Sequence, residues 1–566
     1  MATLTAHRTP WLFFLGFVAL MGMMWGSVAT ASLPTSALLI LWLVVGGLVL
    51  FTFYTFKGNL LLAILVWFVT LIALHEEFWR VAVPLFFAIT IPRLGIVVLV
   101  LLLIAMLAVG RVRLRHAWPV SGCIAAVAVY FFLSALVSGF ETRSVVSVHY
   151  RLIGGYLFPF AVFGLVLHAF HTEQDFKRLA IFFALLSVYL TFTGWCERFD
   201  IGALIFPRFI NDPSVGIHWG RVRGPFVMSA AMGLALVYCF FNNLVLARNV
   251  QRGRWMLYVI NGLMFPVIFW TKTRSVWLSF VLCLLIWATY SRRRTTRVVS
   301  VSLLLSVTLL VAVINMENFL TPDREVGGLT DTAPILLRIG LAQMTWEIVQ
   351  QHPFFGIGFG HFRDYAPGFA KDPSSPFYAF GTTALEHNNL LSIVAETGLV
   401  GLVLYLLMAV FLVRQSVLLY RKLPPKGPGF ISRDLLVLYW ILAMAYFIDG
   451  TFRETSDNPF ANSLFFGLSA VPVALNVLLS PAPIHARPGF ASPGRGGAAG
   501  LGGQPIPRQP KGPFGASGPV RGRIEGSGSA SGMSRTSANR PAAPPTGGST
   551  AVLRRGTGER APGRRG

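Results

Sequence analysis

The sequence predicts an all-α polytopic membrane protein of about 14 transmembrane helices, with a long outer segment carrying an amphipathic helix and a disordered C-terminal tail. Three observations carry this expectation. Of the 566 residues, 54% are hydrophobic and only 12% charged, about half the charged share of an ordinary soluble domain; the mean hydropathy is +0.64. Apolar runs of about 20 residues, enough for a helix to cross roughly 30 Å of hydrocarbon, recur along most of the chain. Stretches such as Leu94 to Val109 are apolar on every side, which excludes the strict alternation of a transmembrane barrel strand. A soluble enzyme is excluded by the same composition.

Spans are expected at about 11–31, 36–55, 59–76, 94–110, 117–138, 153–170, 179–196, 226–247, 255–271, 275–290, 298–315, 389–413, 435–450 and 460–480. The first also resembles a secretory signal, with Arg8 ahead of an apolar core and Ala29-Thr30-Ala31 after it, but is read as a retained span. Val81 to Ile91, closed by Pro92, is too short to cross and is read as interfacial. Four short basic loops, Arg111 to His116, Arg248 to Arg254, Ser291 to Arg297 and Arg414 to Lys426, are placed in the cytoplasm, where Lys and Arg are retained. Both termini then lie inside.

Three segments face outward: Cys196 to Phe226, the Thr271 to Arg274 turn, and about 316–388. The last is too long for a plain connection. Asp331 is placed to cap a helix with Pro334 in its first turn, and Leu337, Leu341, Met344 and Ile348 recur at helical spacing until Pro353. Gly356, Gly358 and Gly360 then permit a tight, close-packed loop. No strand precedes them, so they form no dinucleotide fingerprint.

A net charge of +24 suggests nucleic-acid binding until its distribution is read. The tail, residues 481–566, holds 13 Lys and Arg against Glu525 and Glu559, and with 20 Gly, 13 Pro and no periodicity it is expected to be disordered and cytoplasmic. The rest of the excess is spread over the body. The basic tail could sit near anionic lipid, while the plainer reading is an unselected basic tail of biased composition; the partner is the lipid bilayer, with no nucleic acid. Cys123, Cys196, Cys239 and Cys283 are scattered, with no disulfide framework or metal-binding pair.

Candidate chemistry collects at the outer ends. Arg221 and Arg223 in GRVRGPF, Arg274 in TKTRSVW and Arg338 on the amphipathic helix stand where outward loops should be poor in Arg. Each alone could be a snorkelling anchor; together they suit bidentate binding of a lipid phosphate or diphosphate. EHNNLL places Glu386, His387, Asn388 and Asn389 where the chain re-enters the membrane. His387 could take a proton from a hydroxyl with Glu386 or an Asn orienting it, or an Asn could simply cap the next helix. Glu396, inside that span, needs a partner. His352, His361 and His387 are too widely spaced to suggest a metal site, so no metal or other cofactor is expected.

LLRIGLAQMTWEIVQQHPFFGIGFGHF followed by EHNNLLSIVAETGLVGLVLYLL resembles the core region of the bacterial O-antigen ligase and O-antigen polymerase superfamily. Arg338, Pro353, the Gly356, Gly358 and Gly360 loop, His387 with Asn388, and Glu396 with Gly398 and Gly401 fill its pattern in order, and Arg223 and Arg274 look like its upstream arginines. The likeness runs from about Arg221 to Leu407. It divides the chain into N-terminal transmembrane helices (1–220), a ligase/polymerase-like catalytic membrane region (221–480) and the tail (481–566). What the resemblance implies is a metal-independent glycosyltransferase of the bacterial inner membrane, active at the periplasmic face. It would move a glycan from an undecaprenyl-diphosphate carrier onto lipid A core or a second lipid-linked glycan. Arg223 and Arg274 would hold the diphosphate and His387 would act on the acceptor hydroxyl, with Arg221, Arg338, Glu386 and Asn388 binding substrate. A lipid-linked glycan flippase would instead spread charges along a path through several spans. A non-catalytic subunit of a polysaccharide export complex would need none of these residues.

Overall fold

The computed structural model describes residues 35–56, 58–74, 80–81, 89–115, 117–142, 144, 146–290, 298, 301–302, 333–369, 388–425 and 430–479. Its helices are α1 (Thr35–Thr55), α2 (Leu60–Ala73), α3 (Ile91–Ala108), α4 (Val120–Ser138), α5 (Phe158–Ala169), α6 (Glu173–Arg198), α7 (Ser229–Asn249), α8 (Arg254–Trp270), α9 (Arg274–Tyr290), α10 (Ala333–Gln351), α11 (Phe362–Phe369), α12 (Asn389–Lys422), α13 (Arg433–Phe452) and α14 (Pro459–Leu478). A π-helical stretch, Tyr150–Leu157, leads into α5.

Short polar residues set where these helices begin. Asn59 accepts from Leu62 N at 3.1 Å and starts α2. Thr90, with Pro92 in the first turn, starts α3. Thr172 and Asp175 form a reciprocal capping box on α6, and Asn458 with Pro459 starts α14. Each satisfies orphan N–H groups that a helix end in hydrocarbon would leave exposed.

Among the described residues eight helices are long and apolar enough to cross a membrane: α3, α4, the joined Tyr150–Ala169 helix, α6, α7, α12, α13 and α14. The expected span at 11–31, that at 298–315 apart from 298 and 301–302, the Ser291 to Arg297 loop as a whole, and the tail lie outside the described residues. Where spans are expected at 36–55 and 59–76, Val45–Thr55 and Leu60–Ala73 are bent by 119° to one another, the geometry of one broken crossing or a re-entrant loop. Helices α8 and α9 have 17 residues each, about 25 Å at 1.5 Å per residue, at the lower limit for a crossing. The interfacial reading around Val81 to Ile91 meets a minimal antiparallel pairing of Arg80–Val81 with Ile89–Thr90, so the fold is not wholly α; 82–88 lie outside the described residues.

Helices α7 and α14 form the centre and are buried over most of their length. Phe160 meets Phe466 edge-on with ring centroids 4.8 Å apart, joining α5 to α14. Phe183 meets Tyr238 at 4.7 Å, joining α6 to α7. Helices α4 and α12 instead present Phe132, Leu136, Val403 and Val410 outward, the apolar exterior that a lipid-facing helix requires.

The helix ends sort into two groups. At one, Arg115 Nη1 donates to Leu167 O at 2.7 Å, Arg248 pairs with Asp434 at 3.4 Å, and Lys422 Nζ donates to Asn476 Oδ1 at 2.6 Å. These belong to basic loops expected inside. At the other, Val222 N donates to Trp270 O at 3.2 Å, Ser275 Oγ to Asp449 Oδ1 at 3.3 Å, and Asn388 Nδ2 to Thr451 O at 3.3 Å. These ends are the ones expected outside.

Helix α12 is broken at Gly398, whose φ of 67° and ψ of −170° leave the helical region. The loop after α10 docks on the break: Ile357 N donates to Ala395 O at 3.0 Å, Gly358 N to Glu396 O at 2.8 Å and Leu399 N to Pro353 O at 2.8 Å. Gly356, Gly358 and Gly360 all have positive φ, as the close-packed loop requires. A Cβ on Gly398 would lie 2.2 Å from Phe354 O, a backbone atom that cannot yield alone. Gly398→Ala is therefore expected to cost about 1–3 kcal/mol or more, read as a lowered melting midpoint of the detergent-purified protein. Gly262→Ala, where an added Cβ meets nothing within 4 Å, is the control and should melt near wild type.

Candidate functional site

The outer end is organised by a side chain that no motif singled out. Arg151, on the π-helical stretch, is 4% exposed. Its Nη1 and Nη2 donate to Glu396 Oε1 and Oε2 at 2.6 and 3.1 Å. Nη2 also reaches Ser392 Oγ at 3.0 Å, and Nε donates to Ser456 Oγ at 2.9 Å. Glu454 Oε1 at 3.8 Å and Asp457 Oδ1 at 4.0 Å complete the surroundings. Glu396 thus has the partner that its position within a span demanded. The wide π-turn lets the chain of Ser456 approach: a Cβ on Gly155 would lie 2.4 Å from Ser456 O, and Asn462 Nδ2 takes up Gly155 O at 2.6 Å. π-Bulges of this kind recur where a helix must admit foreign groups.

The corner from Asp449 to Phe460, between α13 and α14, touches nearly every element at this end. Asp449 pairs with Arg453 at 2.9 Å. Thr455 Oγ1 donates to Asn389 Oδ1 at 2.9 Å, and Asn389 Nδ2 donates to Tyr405 OH at 3.2 Å. Phe460 packs on Phe226 with ring centroids 4.3 Å apart. The signal for this corner was available: RETSDN is a charged run pinned between two apolar spans. His361, weighed in the sequence only as a metal ligand, is 4% exposed, with Nδ1 3.1 Å from Asp364 Oδ2 and Nε2 3.1 Å from Gly139 O. It ties the glycine loop to the end of α4.

The residues singled out from the sequence divide into three sets. Arg338 and Asn388 come together: both line a small cleft with Leu341, Thr345, Phe362 and Thr451, and the Arg338 guanidinium lies 5.2 Å from the Phe452 ring centroid. Buried Leu341, Met344 and Ile348 set α10 against α12, on the face that their spacing indicated. Asn388 caps α12, accepting from Leu390 N at 2.9 Å and Leu391 N at 3.1 Å. This is the plainer of its two readings, although the side chain still lines the cleft. Arg221 and Arg274 form the second set: Arg221 Nη1 donates to Lys272 O at 3.4 Å in the turn that ends at Arg274, and both are half-buried. Glu386 and His387 lie outside the described residues, as does Asp331; the chain resumes at Asn388, on the rim of the Arg338 cleft.

Arg223 stands apart. It is 1% exposed, and its guanidinium donates to Ile210 O at 3.0 Å, Asp212 O at 2.6 Å and Val215 O, with the Trp219 ring centroid 4.6 Å away. Glu197 receives Gly224 N at 2.9 Å. The expectation that Arg223 grips a phosphate meets a side chain whose donors already hold the outer loop closed.

Among the described residues, no three His, Cys, Asp or Glu side chains converge where a metal could sit. Burial pushes the Glu454 carboxyl up to about 7 from 4.5, with Arg151 opposing the shift and Asp457 and Glu396 adding to it.

Residues 259–406 match the family model described as O-antigen ligase. The match bears out the resemblance over the stretch that holds Arg274, Arg338, Glu386, His387, Asn388 and Glu396. Arg221 and Arg223 lie upstream of it, as does Arg151, and the 449–460 corner lies downstream. No curated protein matches the chain.

Removing one member of a buried, hydrogen-bonded pair leaves the other uncompensated. Arg151→Met is expected to cost about 3–5 kcal/mol, and the Arg151→Met/Glu396→Met double variant should recover part of it, both read from melting midpoints. Glu454 gives a pH signature. Its folded value lies above its unfolded one, so its contribution is full below about pH 4.5 and is lost as pH rises toward about 7. Melting should fall across that window, and Glu454→Gln should flatten the fall.

Proposed function

We propose that this chain, which carries the core region of the O-antigen ligase and polymerase superfamily, is a glycosyltransferase of the bacterial inner membrane. It moves an undecaprenyl-diphosphate-linked glycan onto an acceptor hydroxyl at the periplasmic face. The observation that carries this reading is the convergence of the family-matched stretch at one end of the bundle. There Arg338 and Asn388 share a cleft, and the turn that ends at Arg274 receives Arg221 from upstream of the match.

In this reading the acceptor oxygen attacks the anomeric carbon while the bond from that carbon to the diphosphate oxygen breaks, and the electron pair leaves with the diphosphate. Arg274 and Arg221 bind the diphosphate and stabilise the charge it gains. The acceptor proton passes to His387, which Glu386 orients, and Arg338 with Asn388 positions the acceptor. Arg223 acts one step back, holding closed the loop from which Arg221 projects. Lipid A core as acceptor makes the enzyme a ligase; a second carrier-linked glycan makes it a polymerase.

A point charge cannot reproduce the planar fork of a guanidinium on two phosphate oxygens. Arg274→Lys should therefore lose about 2.7 to 4 kcal/mol of transition-state stabilisation, roughly 100- to 1000-fold in rate. His387→Ala should lower turnover by about 100- to 10,000-fold. The assay is purified protein in nanodiscs with carrier-linked glycan, offered lipid A core and a second carrier-linked unit in competition. Absence of any transfer by wild type, or full activity in Arg274→Lys, overturns the reading.

Orientation is checked separately. Single cysteines at 274 and 387, in a background without native Cys, should react with a membrane-impermeant thiol reagent reaching only the periplasm. Labelling only after the inner membrane is breached would invert the orientation.

A further inference from the structure

The transfer chemistry above leaves one outward feature unused. Between α2, α3, the π-helical stretch, α7 and α14 lies an open cleft, lined among others by Arg93, Tyr150, Phe158, Phe226, Met228 and Asp457. Most of its wall is aromatic or aliphatic, and Asp457 is its one acidic group. The Asp457 side chain is 22% exposed, with Oδ1 4.0 Å from Arg151 Nε. That oxygen is shielded from solvent and accepts no hydrogen bond among the described residues. Asp457 is itself a lining residue of the cleft. Arg151 meanwhile donates to Glu396, Ser392 and Ser456, so it steadies Asp457 from a distance without saturating it.

A carboxyl set at the edge of an apolar wall calls for a ligand that brings its own donors. Phosphate would find one cation on the wall, Arg93 beside the Tyr150 ring, but at the Asp457 side it brings acceptors and negative charge toward a corner that already holds Glu396, Glu454 and Asp457 around one guanidinium, so it is disfavoured there. An alkyl chain would cover Asp457 without pairing it. A sugar ring meets both demands, with C–H faces for aromatic walls and hydroxyls that donate to a carboxylate. The cleft also adjoins the proposed diphosphate site through one short stretch: Phe226 and Met228 line it, and Arg453, which pairs with Asp449 beside Ser275, places Nη1 3.5 Å from Met228 Sδ.

We infer that this cleft is a sugar subsite, in which Asp457 accepts hydrogen bonds from hydroxyls of the carrier-linked glycan and the aromatic wall packs against its ring. This deepens the glycosyltransferase reading and rests on it for the identity of the ligand. Asp457 is a recognition residue here, and the bond changes are those already given.

The test compares two ligands on one protein. Wild type, Asp457→Asn and Asp457→Ala, as full chains in nanodiscs, are titrated with undecaprenyl diphosphate and with the carrier-linked glycan that accumulates in source cells lacking this protein. Wild type should prefer the glycan-bearing carrier by roughly tenfold, the weight of one hydrogen bond to a charged group. Asp457→Ala should reduce the preference to less than about twofold, with Asp457→Asn between them. A preference is a ratio, so a lowered folded fraction in either variant does not alter it. Wild-type preference retained in Asp457→Ala, or none in wild type, overturns the subsite. A preference that behaves as expected while wild type transfers no glycan overturns the enzymatic reading and leaves the subsite standing.

Discussion

The bidentate pair between Arg151 and Glu396, at 2.6 and 3.1 Å in a site almost closed to solvent, is the constraint from which the outer end follows. Withdrawing a guanidinium and a carboxylate from water is costly, and the cost is met only if nearly every donor and acceptor finds a partner in good geometry. Arg151 meets that condition by drawing on three distant stretches: its own π-helical turn, Ser392 and Glu396 of α12, and Ser456 of the corner before α14. Three spans are registered against one another by one side chain. A helix that slid by one turn would strand a charge.

The break in α12 belongs to the same arrangement. Two residues after Glu396 the helix opens at Gly398, and the freed backbone pairs with the loop after α10. Irregular backbone at this depth is tolerated only where protein re-satisfies it. The glycine loop does so through Ala395 O and Glu396 O, while the Glu396 side chain is held from the opposite side by Arg151. Loop, broken helix and ion pair hold one another in place, and α10 with Arg338 is carried to the rim of the cleft by Leu341, Met344 and Ile348.

Much of this was legible in the sequence, and the gaps have physical causes. Helix positions followed from apolar length, and the sorting of basic ends from the positions of Lys and Arg, because both depend on local composition. The bend between α1 and α2 did not, since two apolar runs around a short turn read alike whether they cross twice or fold back. Leu341, Met344 and Ile348 gave α10 its packed face, and Glu396 announced that it needed a partner, but no local pattern could say that the partner stood 245 residues earlier. Arg151 itself was a cation in an apolar stretch, the same signal as Glu396 with the opposite sign. Arg223 was open to two readings for a different reason: an arginine in an outward loop serves a phosphate and a set of backbone carbonyls with the same planar fork, and its contacts to Ile210, Asp212 and Val215 are visible only in the fold. RETSDN was overlooked because it fits no motif, although six polar residues between two spans must face something.

Charge at this end is divided in a way that bears on how a lipid-linked glycan would lie. Around Arg151 stand Glu396, Glu454 and Asp457, three carboxyls to one guanidinium. Toward the turn before α9 stand Arg221, Lys272 and Arg274, and Arg338 lies over Phe452. Between the two groups runs the corner from Asp449 to Asp457, with Asp449 joined to Ser275 on one side and Glu454 facing Arg151 on the other. A molecule with a diphosphate at one end of a sugar would be pulled to the arginine side by its charge and disfavoured on the carboxylate side by the same charge. Its hydroxyls have the reverse preference, since carboxylates accept from them and guanidiniums cannot. Under the glycosyltransferase proposal, the division would orient such a ligand before any close contact forms, with its leaving group toward Arg274 and its sugar toward Asp457. The anomeric bond, which joins those two parts, would then lie across the corner, beside Asn388 at the start of α12.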